Sequence, residues 1–257
     1  MQGRLHDRAI VVMGAGTRGE GVGNGKACAL AYAREGARVL CVDIDEAAAR
    51  DTAEAIGAAG GIAVPFRADI DIEADCAATI LKCRQEFGRL DVLHNNVGIG
   101  ANADIEGLSR SEWDHAFDIN VGGVFQMCKH AVSVMKAAGK GAILNISSIA
   151  AVRPLPDPAY AASKGAINSL TMYLASRYGR YNIRSNALML GYIDTPLARP
   201  AWENSKVREI NLRQVPMRRF ASPHEVATVA AFLASDDASY INGAILPVDG
   251  GLCAANT

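Results

Sequence analysis

Seven short apolar runs, alternating from end to end with longer stretches of helical spacing, constrain this chain more than any other feature. The runs are Ala9–Met13, Arg38–Val42, Ile62–Phe66, Leu90–His94, Ala142–Ile146, Arg184–Leu188 and Ala244–Val248. Between them lie Lys26–Glu35, Glu46–Ala59, Ile72–Phe87, Ser111–Ala138, Ala159–Tyr178 and Pro223–Ala234, where apolar residues recur three and four apart, as in Ile167, Leu170, Leu174 and Tyr178. A strand that is apolar at nearly every position needs cover on both faces, and helices between parallel strands supply it. The pattern predicts an α/β fold, a Rossmann-type doubly wound parallel sheet of about seven strands with helices on both faces. Asp157 followed by Pro158, and Ser222 followed by Pro223, read as helix caps with proline at the first helical position. No linker, composition shift or internal repeat interrupts residues 1–257, so the chain reads as one domain. A chain of this size buries roughly 70–75% of its unfolded surface.

Leu197–Met217 breaks the alternation. It opens between two prolines, Pro196 and Pro200, and carries Trp202, several charges and little periodicity. It reads either as a surface excursion or as a lid over a site, and the lid is the expectation adopted here.

Charge and cysteine usage exclude several classes. The 26 basic and 27 acidic residues leave a net charge of −1, without the basic footprint of a nucleic-acid binder. No apolar run approaches a membrane span, and the first residues lack the pattern of a secretory signal, so a cytoplasmic protein is expected. Cys28, Cys41, Cys76, Cys83, Cys128 and Cys253 are scattered without CxxC spacing and read as free thiols. The five histidines form no pair at ligand spacing, so no metal site is expected.

A glycine-dense turn, Gly14-Ala15-Gly16 through Gly23-Asn24-Gly25, follows the first run and precedes a helix. Glycines let a backbone approach a pyrophosphate, and the helix start offers unpaired N–H groups and a positive dipole end. Asp43, with Ile44 beside it, ends the second run about 20 residues beyond the turn, where an acid meets the adenosine ribose. That carboxylate accepts hydrogen bonds from both ribose hydroxyls of NAD and repels the 2′-phosphate of NADP, so NAD is the expected coenzyme. Arg18, in the same turn, argues the other way, although Glu20 lies close to it in sequence.

Tyr160 and Lys164 stand four apart at the start of a predicted helix, which stacks the phenol and the ammonium on one face. A phenol of pKa near 10 acts as a base at neutral pH only beside positive charge.

The whole chain resembles the short-chain dehydrogenase/reductase family, of about 250 residues with a Tyr-x-x-x-Lys helix. The matches are Asn95-Asn96-Val97-Gly98, Asn120 in Asp118-Ile119-Asn120, Ser148 in Asn145-Ile146-Ser147-Ser148, and Tyr160 with Lys164. Further matches are Asn186-Ala187, Gly191-Tyr192-Ile193-Asp194-Thr195-Pro196 and Asp249-Gly250-Gly251, so the likeness runs over residues 5–251. The resemblance implies that Tyr160 is the general acid/base and that Lys164 lowers its pKa and binds the nicotinamide ribose. It implies that Ser148 orients the substrate oxygen and that Asn120 supports a water relay. Asp69 and Ile70 would flank the adenine, Ile193 and Thr195 would meet the carboxamide, and Asn96, Val97, Gly98, Ile146 and Gly191 would complete the coenzyme contacts. It also implies a homotetramer, paired through the long helices after Asn120 and Tyr160 and through the apolar segment Ile241–Leu252. The implied activity is the interconversion of a secondary alcohol and a ketone.

Three departures from the family pattern stand out. Eight residues, not three, separate Gly14 from Gly23, an insertion of five that also puts Asn24 where an apolar residue is usual. Ser148 precedes Tyr160 by 12 positions rather than 13, which shortens the Pro154-Leu155-Pro156 loop and leaves Ser147 as a second candidate. Leu190 replaces the proline before Gly191. The long turn suggests the enoyl-thioester reductases of the same superfamily as an alternative, but their tyrosine lies seven before the lysine, where this chain has Asp157. A non-catalytic dinucleotide sensor is the other alternative, and the complete set Asn120, Ser148, Tyr160 and Lys164 argues against it. The residues expected to shape the substrate pocket, 99–104, 152–156, Tyr192 and 197–217, include Ile99, Val152, Leu155, Leu197 and Trp202 and lean towards a hydrophobic, cyclic or acyl, substrate.

Overall fold

Each central apolar run becomes a strand because its side chains are buried in both directions, whereas the edge runs Ile62–Arg67 and Ile245–Val248 are only partly covered. In the computed structural model, which describes residues 3–101, 103–153, 156–202 and 204–255, all five residues of β1 (Ala9–Met13) are buried. Ile10 and Val12 join one core cluster, with α1 (Asn24–Arg34) and α9 (Pro223–Ala234). Ala9, Val11 and Met13 join the other, with α3 (Glu73–Phe87), α5 (Val124–Ala138) and α6 (Pro158–Tyr178). The period of two sends alternate residues to opposite faces, so one strand anchors two helical layers. Burying each valine or isoleucine contributes roughly 1.5–3 kcal/mol.

The remaining strands are β2 (Arg38–Asp43), β3 (Ile62–Arg67), β4 (Val92–Asn95), β5 (Gly141–Ser148), β6 (Ile183–Leu190) and β7 (Ile245–Val248). All pair in parallel in the order β3-β2-β1-β4-β5-β6-β7, the expected doubly wound sheet. Each outermost strand carries a proline, Pro65 in β3 and Pro247 in β7. Because the strands are parallel, Met13, Asp43, Asn95, Ser148, Leu190 and Val248 end at the same edge. The chain reverses direction across the sheet at β1, between β2 and β4, and that point opens a crevice.

The helix caps fall where expected. Asp157 accepts from the Tyr160 N–H at 2.9 Å, and Ser222 with Glu225 forms a capping box ahead of α9. Two stretches differ from expectation. Ser111–Ala138 is not one regular helix, because α4 (Arg110–Phe117) and α5 are joined by a π-helical segment, Asp118–Gly123. There the chain passes so close to the loop after β3 that a Cβ on Gly123 would lie 2.6 Å from Ile70 Cγ1. The extra residue in the turn leaves the apolar spacing on either side intact, so the periodicity cannot reveal it. The excursion after β6 is more regular than its pattern suggests. It holds α7 (Arg199–Trp202) and α8 (Ser205–Gln214), the latter capped by Asn204 and without a buried residue. α2 (Glu46–Ala58), capped by Asp45, completes the helices named here. All six cysteines are free.

Candidate active site

Two close approaches shape the glycine turn. A Cβ on Gly25 would lie 1.8 Å from the Gly14 carbonyl oxygen, so only glycine lets α1 start against the end of β1. Asn96 then donates Nδ2 to that same carbonyl at 2.9 Å and ties β4 to the turn. This supports reading Gly14, Gly23 and Gly25 as the three matching glycines. Gly23 is the N-cap of α1, and no side chain caps the helix. The first-turn N–H groups therefore present a donor-rich, positive end to the crevice. Within the inserted segment, the Gly23 N–H donates to Thr17 Oγ1 at 2.9 Å and closes its base. Its outer part reaches the excursion: Arg199 Nη1 donates to the Glu20 carbonyl at 3.2 Å, while Arg199 Nε donates to Asp194 at 3.0 Å. Nothing in the composition of the insertion signals this tether. Asn24 Oδ1 is buried without a hydrogen-bond partner among the described residues.

At the end of β2 the Asp43 carboxylate faces the turn. Oδ2 accepts from the Gly16 N–H at 2.9 Å and Oδ1 from the Asp45 N–H at 3.1 Å. Ile44 is exposed beside it. Asp69 accepts from the Asp71 N–H, and Ile70 is buried beneath the π segment.

The second half of the site is built on the ends of β5 and α6. Ser148 closes β5; its hydroxyl accepts from the Ala150 N–H at 3.1 Å and stands close enough to the Tyr160 phenol to favour its ionised form. Ser147 points the opposite way and donates to the Lys164 carbonyl at 3.3 Å, which removes it as the second candidate. Lys164 is only 2% exposed; its ammonium donates to the Ile146 carbonyl at 2.9 Å and lies 5.4 Å from the centre of the Tyr160 ring. Burial pulls the Lys164 pKa down to about 8. Burial pushes the Tyr160 phenol up, Ser148 pulls it back, and the Asp157 carboxylate adds to the rise. A Cβ on Gly98 would meet Lys164 Nζ at 2.8 Å, so glycine there keeps the ammonium in place.

Asn120 sits in the π segment with its amide fully used. It accepts from the Ile99 N–H at 2.8 Å and donates to the Ile99 carbonyl at 2.8 Å and to Ser163 Oγ at 3.0 Å. Ser163 in turn donates to the Tyr160 carbonyl at 2.7 Å. The Asn120 side chain thus binds the loop after β4 to the helix of Tyr160. Gly191 packs where a Cβ would lie 2.7 Å from Asp249 Cα, Ile193 bridges to Ala221, and Thr195 Oγ1 accepts from the Ala198 N–H. Val97 packs against the core beneath. Asp157 does more than the sequence suggests: besides capping α6, it accepts from the Ala101 N–H at 2.8 Å and holds the loop after β4. Pro154, Leu155 and the side chain of Trp202 lie outside the described residues.

These elements fit a dinucleotide along the crevice: an uncapped helix start, glycines where a Cβ would clash, and a carboxylate at the end of β2. They define a dinucleotide-binding site of Rossmann type. A family model described as enoyl-(acyl carrier protein) reductase matches residues 20–253. The 3-oxoacyl-(acyl-carrier-protein) reductase FabG of Thermotoga maritima is 34% identical over 250 residues, 97% of this chain and 99% of that one. The cis-4-hydroxycyclohexanecarboxylate dehydrogenase of Sinomonas cyclohexanicum is 41% identical over 250 residues, 96% of this chain and 97% of that one. A solved structure described as an NAD(P)-dependent gluconate 5-dehydrogenase from Beutenbergia cavernae, with NADP at low occupancy, superposes with a TM-score of 0.92. It is 33% identical and covers 98% of this chain and 100% of that chain. The chain belongs to the short-chain dehydrogenase/reductase family.

Proposed function

We propose that the protein is an NAD-dependent oxidoreductase that interconverts a secondary alcohol and a ketone, with Tyr160 as general acid/base. The observation that carries this reading is the convergence of Ser148, Tyr160 and Lys164 at the end of β5, beside the glycine crevice. When bound, the nicotinamide supplies or accepts the hydride and, oxidised, adds a positive charge beside the phenol. Gly14, Gly16, Gly23, Asn24 and Gly25 would hold the pyrophosphate, and Asp43 with Ile44 the adenosine ribose. Asp69 and Ile70 would hold the adenine, and Asn96, Val97, Gly98, Ile146, Gly191, Ile193 and Thr195 the nicotinamide half.

In the reducing direction Tyr160 donates its proton to the substrate oxygen, and its burial keeps that proton in place until then. In the oxidising direction the phenolate must form. The Lys164 ammonium, 5.4 Å from the centre of the phenol ring, favours it, because a nearby positive charge stabilises the charged phenolate. Ser148 polarises the same oxygen, and Asn120 keeps the Tyr160 helix and the loop after β4 in register. The enoyl-thioester reading, which the description of the matched family model would favour, requires a tyrosine where Asp157 stands.

The same reading makes 197–217 a lid over a small, hydrophobic alcohol or ketone and the protein a cytoplasmic homotetramer. The Tyr192 hydroxyl, which donates to Asn211 of α8 at 3.3 Å, supports the lid. No helix among the described residues is long and apolar enough to cross a membrane. Tyr160→Phe tests the central role. Turnover is expected to fall about 10²–10⁴-fold while NADH affinity, measured by fluorescence titration, stays within a few-fold. Turnover within about threefold of the parent would remove Tyr160 from the mechanism.

A further inference from the structure

Arg153 belongs to the segment 152–156 that the sequence marks as shaping the substrate pocket. It follows the turn Ile149–Ala151, and its backbone N–H closes that turn by donating to the Ile149 carbonyl at 2.9 Å. Its Nη1 donates to the Leu252 carbonyl at 2.9 Å. Leu252 forms a small apolar cluster with Ile149 and Val215, against which Tyr192 packs. The guanidinium therefore lies between the turn after Ser148 and Tyr192, the residue that reaches the excursion.

Its charge has no local answer. The partly buried Arg8 is paired with Asp91 and Asp236, and Arg38 with Asp7. Half-buried Arg153 has no carboxylate within ion-pair distance among the described residues, and the Leu252 carbonyl is its one side-chain partner there. The nearest acid in the C-terminal turn, Asp249, has its two oxygens turned to the N–H groups of Gly251 and Cys253. Arg153 draws down the Tyr192 phenol and the Cys253 thiol, which burial pushes up. A guanidinium with no carboxylate in reach keeps its fork free for a ligand anion. The Asp157 carboxylate, close enough to raise the Tyr160 phenol, disfavours an anion at the start of α6.

We propose that Arg153 anchors a carboxylate on the substrate, so that the secondary alcohol taken by this site is a hydroxy acid. Its carboxylate lies on Arg153 and its carbinol at Ser148 and Tyr160, with an apolar body along Ile149 and Tyr192. The planar guanidinium fork, with four N–H donors left by the Leu252 contact, suits bidentate recognition of a carboxylate. The inference rests on the reading of Tyr160 as acid/base.

The test compares linear and cyclic hydroxy acids of four to ten carbons with their methyl esters, by coenzyme-linked turnover and by quenching of NADH fluorescence in the protein–NADH complex. At least one acid is expected to exceed its ester about tenfold or more in kcat/KM and in affinity. Arg153→Gln, which keeps a donor for Leu252 but removes the charge, should bring that ratio close to one. Arg153→Lys should retain part of it. Turnover of acids and esters alike, or an unchanged ratio in Arg153→Gln, overturns the proposal and leaves the oxidoreductase reading standing. Charge-dependent binding of acids without turnover of any alcohol supports the proposal and sinks that reading. Binding of neither acids nor esters overturns the proposal.

Discussion

Lys164 shows how function sets the chemistry of a single buried group. The unfolded chain keeps the lysine proton up to about pH 10.5, whereas the folded chain releases it at about 8. Below pH 8 the fold therefore carries a buried ammonium at a cost of ~3 kcal/mol, and that cost falls away as pH rises from 8 to 10.5. Lys164→Met should abolish turnover and flatten this dependence. Thermal melts between pH 6 and 10 should show the parent gaining on the variant as pH rises. Parallel curves would mean that the ammonium is not desolvated. Met also leaves the Ile146 carbonyl unpaired, but that loss of about 1–3 kcal/mol is the same at every pH and does not alter the slope. The Asp43 carboxylate receives the Gly16 and Asp45 N–H groups, so the coenzyme choice proposed for it is tied to the architecture of the turn. Asp43→Asn keeps an acceptor and removes the charge. The parent should favour NAD over NADP by at least about 100-fold in kcat/KM, and Asp43→Asn should erode most of that preference. Equal efficiency with both coenzymes in the parent would transfer control to Arg18 of the turn.

At the scale of elements, the tether between the inserted turn and α7 carries the clearest expectation. Arg199 is 51% exposed, so its pair with Asp194 contributes little to stability. It does restrain a glycine-rich loop that must order around the coenzyme. Arg199→Ala should raise the coenzyme KM about 3–10-fold, the size of an ordering cost of about 1 kcal/mol, and shift the melting temperature by no more than about 2 °C. An unchanged KM would make the contact incidental. The sequence made the central strands legible because they are buried on both faces, and it made the helix starts at Pro158 and Pro223 legible because a cap and a proline leave a local signature. The candidate site could be proposed from the sequence because Ser148, Tyr160 and Lys164 sit at element ends at short spacing. Three features were not legible. The π segment around Asn120 inserts a residue without disturbing the apolar pattern, α8 lacks a buried face to produce one, and the Arg199 tether joins positions 179 apart. Contacts between distant loops depend on where strand ends meet, which no local spacing records.

The whole molecule should associate. Phe125 on α5 and Met172 and Tyr173 on α6 are large apolar side chains left exposed on the helices that follow Asn120 and Tyr160. They are suited to pairing with the same surface of a second copy. Light scattering at micromolar concentration should give about four times the 27.1 kDa chain mass, and a stable 27.1 kDa species would refute the tetramer. The prolines in the outermost strands bear on how such association ends. An edge strand offers a row of N–H and C=O groups on which another chain can template itself, which is the route to fibrils and domain exchange. Pro65 and Pro247 each remove a donor from that row, at both margins of the sheet. Copies of this chain can then meet through helix faces, which close on themselves by symmetry, while the ladder that would let them polymerise without limit is interrupted at each end.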